Sequence, residues 1–281
     1  MKLAYICTNY NNSAYTVAAV ESLAANRGHE FQVIVVDNAS SGAERDLLRP
    51  LAAQHPWVQV IESPVNTGYF GGLNLGLRAL AEHRPDIEFA VVGNNDLVFP
   101  AGFADAVERN LHLFERYPVL SPTITTLDGA HQNPHVITGI SALRERFYDL
   151  YHLNYQLALL LKWIVKQSRG LARRGDEDQH ATGQEIWQGH GSCYLLGPRF
   201  FREFGQLWAP TFLFGEEFFL SEQLAAKGYR VYFEPSITLT HACHSSVAKL
   251  PSRRHWELSR DAHWTYRKHN PIGRHTKTTA S

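Results

Sequence analysis

Along the first 120 residues, short apolar runs alternate with longer stretches in which apolar residues recur at intervals of three and four. The runs "LAYIC" (3–7), "FQVIVVD" (31–37), "WVQVIE" (57–62) and "EFAVVGN" (88–94) predict strands, because β-branched and aromatic residues crowd into a few positions. Between them, "SAYTVAAVESLAAN", "GAERDLLRPLAAQ" and "GGLNLGLRALAEH" keep the helical period. Strand and helix in alternation predict repeated βαβ units, hence a mostly parallel sheet with helices on both faces. Ligands of such sheets sit at the carboxyl ends of the strands. Each predicted strand ends in polar residues: Thr8 and Asn9, Asp37 and Asn38, Asn66 after the third, and Asn94, Asn95 and Asp96 after the fourth.

From about Thr123 the pattern loosens. Residues 142–174 predict one or two amphipathic helices ending in basic residues, followed by a solvated loop, "GDEDQHATGQ". Two readings fit the helices. They cover the sheet or build the contact of an oligomer; alternatively, Lys162, Lys166, Arg169, Arg173 and Arg174, beside Trp163 and Leu159 to Leu161, rest on anionic lipid. A second compact stretch, 185–244, predicts strands at "SCYLL", "RVYFE" and "ITLTH" and a helix at "EEFFLSEQLAAKG" closed by Gly228. The tail "SRRHWELSRDAHWTYRKHNP" predicts a final helix.

Composition narrows the function classes. With 281 residues, 44% hydrophobic and 19% charged, the chain can bury a large core. Lys plus Arg equals Asp plus Glu at 27 each, so overall charge supports no nucleic-acid partner. Cys7, Cys193 and Cys243 are too few and scattered for a disulfide framework and are expected in the core of a protein of the reducing cytosol. The start of the chain has no leader pattern and no apolar run approaches the length of a membrane span; a cytoplasmic location is the expectation, with peripheral membrane contact open.

The polar strand ends carry the candidate chemistry. Asp96 can hold a divalent cation that takes its remaining ligands from substrate phosphates, or it can simply turn the chain with Asn95 before Pro100. Asp37 and Asn38 can accept from a ribose or a base, or form the "SSG" turn. Gly68, Gly71 and Gly72, ahead of a helix, allow close approach of a phosphate or sugar. Glu216 and Glu217 open a helix, where the dipole favours acids, yet Phe212, Phe214, Phe218 and Phe219 crowd them, and an apolar setting raises a carboxyl pKa toward that of a general base. His241 ends a strand and His244 follows, without a zinc spacing. Trp187 and His190, beside Gly189 and Gly191, form either a sugar-stacking platform or a tight loop.

Taken in order, "AYICTNYN", "IVVDNASS", "NTGYFGGLNLGL", "VVGNNDLVFP", "GHGSCYLLGPRFFREFGQL" and "FLFGEEFFLSEQLAAKGYRVYFEPSITLTHACHSS" resemble the inverting family 2 glycosyltransferases of GT-A fold, in particular the rhamnosyl- and galactofuranosyltransferase-like branch of surface-polysaccharide enzymes. The resemblance spans roughly residues 3–246. It implies a Rossmann-like α/β domain with a nucleotide-sugar-binding half at 1–122, an acceptor-side and catalytic half at 123–246 that includes the helical insertion 142–174, and a C-terminal helical tail at 247–281. It places Thr8, Asn9, Asp37, Asn38, Asn66, Gly68, Asn74, Asn95 and Asp96 at the nucleotide sugar and Asp96 with His241 at a Mg²⁺ or Mn²⁺ ion. Glu217 stands at the base, Glu216 beside it for an acceptor hydroxyl, and Trp187 and His190 on the acceptor side. The implied acceptor is a glycan or lipid-linked glycan, at the inner face of the membrane. Asn94 departs from the family pattern by replacing the first acidic residue of the DXD motif, which implies metal binding that is weakened or dispensable.

The segment "CTNYNNSAY" lacks the glycine-rich loop of a sugar nucleotidyltransferase and the G-x-G-x-x-G of an NAD-linked oxidoreductase. A degenerate transferase fold serving as a binding or assembly subunit remains the competing expectation.

Overall fold

The runs at 3–7, 33–36 and 90–92 become strands buried on both faces, so they carry no alternation of polar residues, whereas 58–63 is a partly exposed edge strand. In the computed structural model, which describes residues 1–167, 176–243 and 252–270, one nine-stranded sheet is built from β1 (Lys2–Asn9), β2 (Glu30–Asn38), β3 (Val58–Ser63), β4 (Ala90–Asn94), β5 (Leu97–Val98), β6 (Val119–Thr126), β7 (Gln184–Ile186), β8 (Cys193–Leu196) and β9 (Val231–His241). The helices are α1 (Ser13–Ala24), α2 (Gly42–Gln54), α3 (Tyr69–His83), α4 (Phe103–Arg109), α5 (Ala142–Tyr151), α6 (Tyr155–Gln167), α7 (Pro198–Glu203), α8 (Glu216–Ala225) and α9 (Ser252–His269).

Strand order is β3-β2-β1-β4-β8-β6-β9-β5, with β7 also on β9. The strands β3, β2, β1 and β4 are parallel; β8 runs antiparallel to both β4 and β6, and β6 is parallel to β9. Alternate side chains of each strand feed two cores. Tyr5, Cys7, Val33 and Val35 pack against Val20 and Leu23 of α1 and Leu48 of α2. Ala4, Ile6, Ile34 and Val36 pack on the other face against Leu73 and Leu77 of α3 and Leu220 and Leu224 of α8.

Three expectations change. "RVYFE" and "ITLTH" form one strand, β9, whose register against β6 shifts between Pro122 and Thr123, so that Pro235 and its neighbours bulge out of the ladder. Cys243 is exposed rather than in the core; Cys7 and Cys193 are buried. The strand β6, "VLSPTITT", carries Pro122 in its middle, which hid it among the loosening pattern. The basic residues Arg169, Arg173 and Arg174, and His244, lie outside the described residues.

The helix α9 is latched to α5. Glu145 accepts from the Tyr266 hydroxyl at 2.7 Å and from Asn270 at 3.0 Å, and Asp149 pairs with Arg267 at 2.8 Å and with His263 at 2.8 Å. His152 stacks on His263 with ring centroids 4.4 Å apart, and burial, then the His263 charge, push its pKa down to about 4.

Candidate active site

The order β3-β2-β1-β4 reverses direction between β1 and β4, and at such a switch point the helices leave to opposite faces and open a crevice. Register sets Thr8 beside Asn94 there. A cleft of about 310 Å³ occupies the place. Of the residues picked from the sequence, Thr8, Asn38, Asn66, Gly68, Asn95, Asp96 and Glu216 line it, together with Asn94. The strand 90–94 therefore runs into Asn-Asn-Asp because it delivers those side chains to a shared cavity.

Behind the cleft lies a buried polar brace. The Asn9 amide donates to Asp37 Oδ1 at 2.9 Å and to the Ser13 and Ser40 hydroxyls, while its Oδ1 accepts from Thr16 and from Asn95. Asp37 Oδ2 accepts the Ser40 N–H at 3.2 Å. Asn9 and Asp37, fully buried, thus fix the ends of β1 and β2 rather than line the cleft; Asp37 borders a separate hollow of about 180 Å³ with Arg45, Arg49 and Glu62.

The glycine loop closes the next wall. Asn38 receives the Thr67 N–H at 2.8 Å and donates to the Gly68 carbonyl at 2.9 Å, and Asn66 accepts the Gly68 N–H at 3.0 Å. Gly68 has φ +80°, and any Cβ there would fall on the Phe212 carbonyl, which accepts the Tyr69 N–H at 3.1 Å. That contact docks the loop before α8 on the start of α3. Phe214 is held at φ +73° by its N–H to Glu216 Oε1 at 3.0 Å and its carbonyl to Thr211 Oγ1 at 3.1 Å.

β5 pairs Leu97 with His241, which brings a residue 145 positions downstream against Asp96. His241 Nε2 lies 3.2 Å from Asp96 Oδ1. The Gln132 amide nitrogen points to Cys243 Sγ at 3.7 Å, so Gln132 Oε1 faces His241 Nδ1 at 2.9 Å and accepts its N–H. This leaves a lone pair on Nε2, which accepts from the Asn94 amide at 3.0 Å. One carboxylate oxygen and one neutral imidazole nitrogen, the latter steadied through its other nitrogen, fit a divalent cation that completes its shell with water and phosphate oxygens.

The acidic pair is asymmetric. Glu216 is 7% exposed, and burial, then the charge of Glu217, push its pKa up to about 8. This favours its neutral form, which can donate a hydrogen bond. Glu217 Oε1 accepts the Gly191 N–H at 3.2 Å, and the Gly191 carbonyl accepts from the hydroxyl of the cleft residue Tyr69 at 2.8 Å. Glu217 thus adjoins the cleft, and Glu216 lines it.

Three predicted residues stand elsewhere. Asn74 is bound on both sides to Leu207, Nδ2 to its carbonyl and Oδ1 to its N–H at 2.8 Å each, and clamps α3 to the segment after α7. Trp187 is 4% exposed, packed with Phe218 and Phe219, and carries Arg230 over its ring at 4.8 Å, so it offers no face to a sugar. His190 sits near His241, rings 5.9 Å apart, with Nδ1 on the Ser192 hydroxyl at 2.8 Å; burial pushes its pKa down to about 3 and keeps it neutral.

The cleft also gathers Tyr10, Tyr69, Phe212, Leu213, Phe214, Arg254 and Leu258. The aromatic crowd at 212–214 was visible in the sequence as part of this region. Arg254 and Leu258 were not singled out, because a basic, aromatic helix does not say which face meets the sheet. A further set of potential metal ligands, His29, Asp105 and Glu108, lies where β2 begins, roughly 25 Å from the cleft at ~3.3 Å per strand residue. Its acids already pair with the terminal ammonium and His29.

Comparison with known proteins agrees with this layout. Residues 5–119 match the family model "Glycosyl transferase family 2". A curated relative, an uncharacterized glycosyltransferase of Nostoc sp., is 30% identical over 79 residues, 28% of this chain and 24% of the relative, so the chain matches about a quarter of that protein's length. Among solved structures, the mannosyltransferase PcManGT of Pyrobaculum calidifontis, in complex with GDP-Man and Mn²⁺, superposes with a TM-score of 0.56 at 16% identity, over 95% of this chain and 64% of that one. TarS 1-349 of S. aureus, in complex with UDP-GlcNAc, gives 0.57 at 14% identity over 92% and 64%. GalNAc-T7 with UDP, GalNAc and Mn²⁺ gives 0.55 at 12% identity over 87% and 44%. The chain has the GT-A glycosyltransferase fold, and its first half carries the family 2 pattern.

Proposed function

We propose that the protein is an inverting glycosyltransferase that moves a sugar from a nucleoside-diphosphate donor, of dTDP-rhamnose or UDP-sugar type, to a hydroxyl of a glycan or lipid-linked glycan in cell-surface polysaccharide synthesis. One observation carries the reading: a single cleft at the carboxyl ends of parallel strands joins Asp96 to Glu216 at the start of α8, with Glu217 adjoining it through Gly191 and Tyr69. The PcManGT complex with GDP-Man and the TarS complex with UDP-GlcNAc support a nucleotide sugar as donor.

Glu217 takes the proton of the acceptor hydroxyl as that oxygen bonds to the anomeric carbon. The bond from that carbon to the diphosphate oxygen breaks with its electron pair, and the nucleoside diphosphate leaves from the opposite face, which inverts the configuration. Neutral Glu216 donates a hydrogen bond to a sugar hydroxyl and orients it. A divalent cation bound by Asp96 and His241 would supply Lewis-acid stabilisation of the leaving diphosphate.

Donor turnover by wild type and Glu217→Gln tests the reading: the substitution is expected to cost about 10²–10⁴-fold in kcat. Equal product from both removes Glu217 as the base. Asn94, which takes one acid from the metal site, favours the competing view of a binding or assembly subunit; nucleotide binding without turnover on a broad acceptor panel would establish it.

The lipid-linked acceptor is supported by α5 and α6. Leu153, Leu159, Leu160, Trp163 and Ile164 are exposed, Trp163 by 62%, beside exposed Lys162, and the sequence continues with Lys166, Arg169, Arg173 and Arg174. A helix that mixes apolar and basic side chains lies in the interface of an anionic membrane. Among the described residues no helix is long and apolar enough to cross one. Sedimentation with phosphatidylserine vesicles, lost in Leu160→Ser/Trp163→Ser, is expected; unchanged sedimentation refutes the contact.

A further inference from the structure

The cleft is short of positive charge for the ligand it would hold. A nucleoside diphosphate brings several negative charges, and Asn94 leaves Asp96 as the only carboxylate of its motif, so any cation there has one acidic anchor. Among the described residues that line the cleft, the sole side-chain cation is Arg254. It comes from the first turns of α9, on the wall opposite the strand ends, beside Leu258 and the Phe212–Phe214 loop. Its local partner is weak: Glu257 lies 3.6 Å away on the same helix, and the Arg254 side chain stays 58% exposed. The backbone that carries it is fixed, because α9 is latched to α5 through Glu145 and Asp149, and His255 packs on Phe214 with ring centroids 4.7 Å apart.

We propose that Arg254 is a donor-phosphate clamp, a guanidinium on the C-terminal helix that grips the diphosphate and takes over part of the neutralisation a two-acid metal site would give. A guanidinium presents paired N–H donors that match two phosphate oxygens, keeps its charge at any working pH, and needs no metal. The helix α9 thereby becomes part of the donor site, which the strand-end motifs alone do not complete. This inference rests on the nucleotide-sugar reading above.

The test is calorimetric titration of UDP, dTDP and GDP, and of the matching nucleosides, into the full chain in EDTA and in Mn²⁺. Wild type is expected to bind at least one diphosphate in EDTA. Arg254→Ala is expected to weaken that binding about tenfold, with Arg254→Lys between the two, a loss in keeping with one charge-assisted contact. Arg253→Ala, whose residue pairs with Glu257 outside the cleft lining, is expected to match wild type. Nucleoside binding is expected to be indifferent to residue 254. Diphosphate binding by Arg254→Ala equal to wild type in EDTA overturns the clamp, as does an equal loss of nucleoside binding, or wild-type binding that appears only with Mn²⁺. Absence of any diphosphate binding to wild type in either buffer overturns the donor reading itself and the clamp with it.

Discussion

Replacing Glu216 with Gln removes a titrating group while keeping an oxygen able to accept the Phe214 N–H. In the unfolded chain the carboxyl titrates at its ordinary 4.5; in the folded protein burial and Glu217 hold it at about 8. Below 4.5 both states are protonated and the group costs nothing. Between the two values the folded state keeps a proton that the unfolded state has released, so stability falls as pH rises, by up to ~1.4 kcal/mol per pH unit. Above about 8 the loss is complete. The gap of about 3.5 pH units sets a ceiling of ~5 kcal/mol, comparable with the total stability of a small domain. Urea unfolding of wild type and Glu216→Gln from pH 5 to 9 measures it. The difference between the proteins is expected to move steadily against wild type from pH 5 to 8 and then level off, while the histidines, common to both, cancel. Parallel curves over that span would refute a buried, proton-holding Glu216 and with it the division of roles within the acidic pair.

Asn94→Asp restores a second acid beside Asp96 and His241 and is expected to tighten Mn²⁺ binding at least about tenfold, read by titration calorimetry; unchanged affinity would show that Asn94 does not face the cation. Gly68→Ala places a Cβ on the Phe212 carbonyl at a positive φ and is expected to lower thermal stability by about 1–3 kcal/mol and to weaken nucleotide binding; a neutral effect on both would mean that the docked loop is dispensable. Because the folded pKa of His152 is depressed to about 4, its contribution to stability is lost as pH falls from 6.5 toward 4, so the stability difference between wild type and His152→Gln is expected to move against wild type over that span, Glu216 being common to both; a pH-independent difference would refute a buried, neutral His152.

Strand β3, at the sheet edge and partly exposed, was legible through its β-branched residues; strands β1, β2 and β4 and the helices between the first strands were legible because burial on both faces leaves continuous apolar runs, and a helix on one face leaves its period. Asp96 was legible for the same reason, as an acid that interrupts such a run. The second half was harder to read. Pro122 and Pro235 break two neighbouring strands at the bulge they share, so β6 was not picked out and β9 looked like two pieces. The polar residues at strand ends were seen, but not their division between lining and bracing: Asn9 only braces, whereas Asn95 lines the cleft while its amide donates to Asn9 and to Thr16 of α1. Trp187 looked like a platform because its glycine neighbours suggest an open loop, whereas Arg230, far along the chain, covers its ring. Gln132 gave no signal, since its task is to orient a histidine 109 residues away.

The latch between α5 and α9 also bears on where this protein ends in a working sense. Residues 5–119 match the glycosyl transferase family 2 model, yet one wall of the chamber they open onto is supplied by Arg254 and Leu258. A chain cut before Ser252 would keep its sheet and both principal cores while leaving that chamber unroofed, a fold intact in outline and deprived of its enclosure.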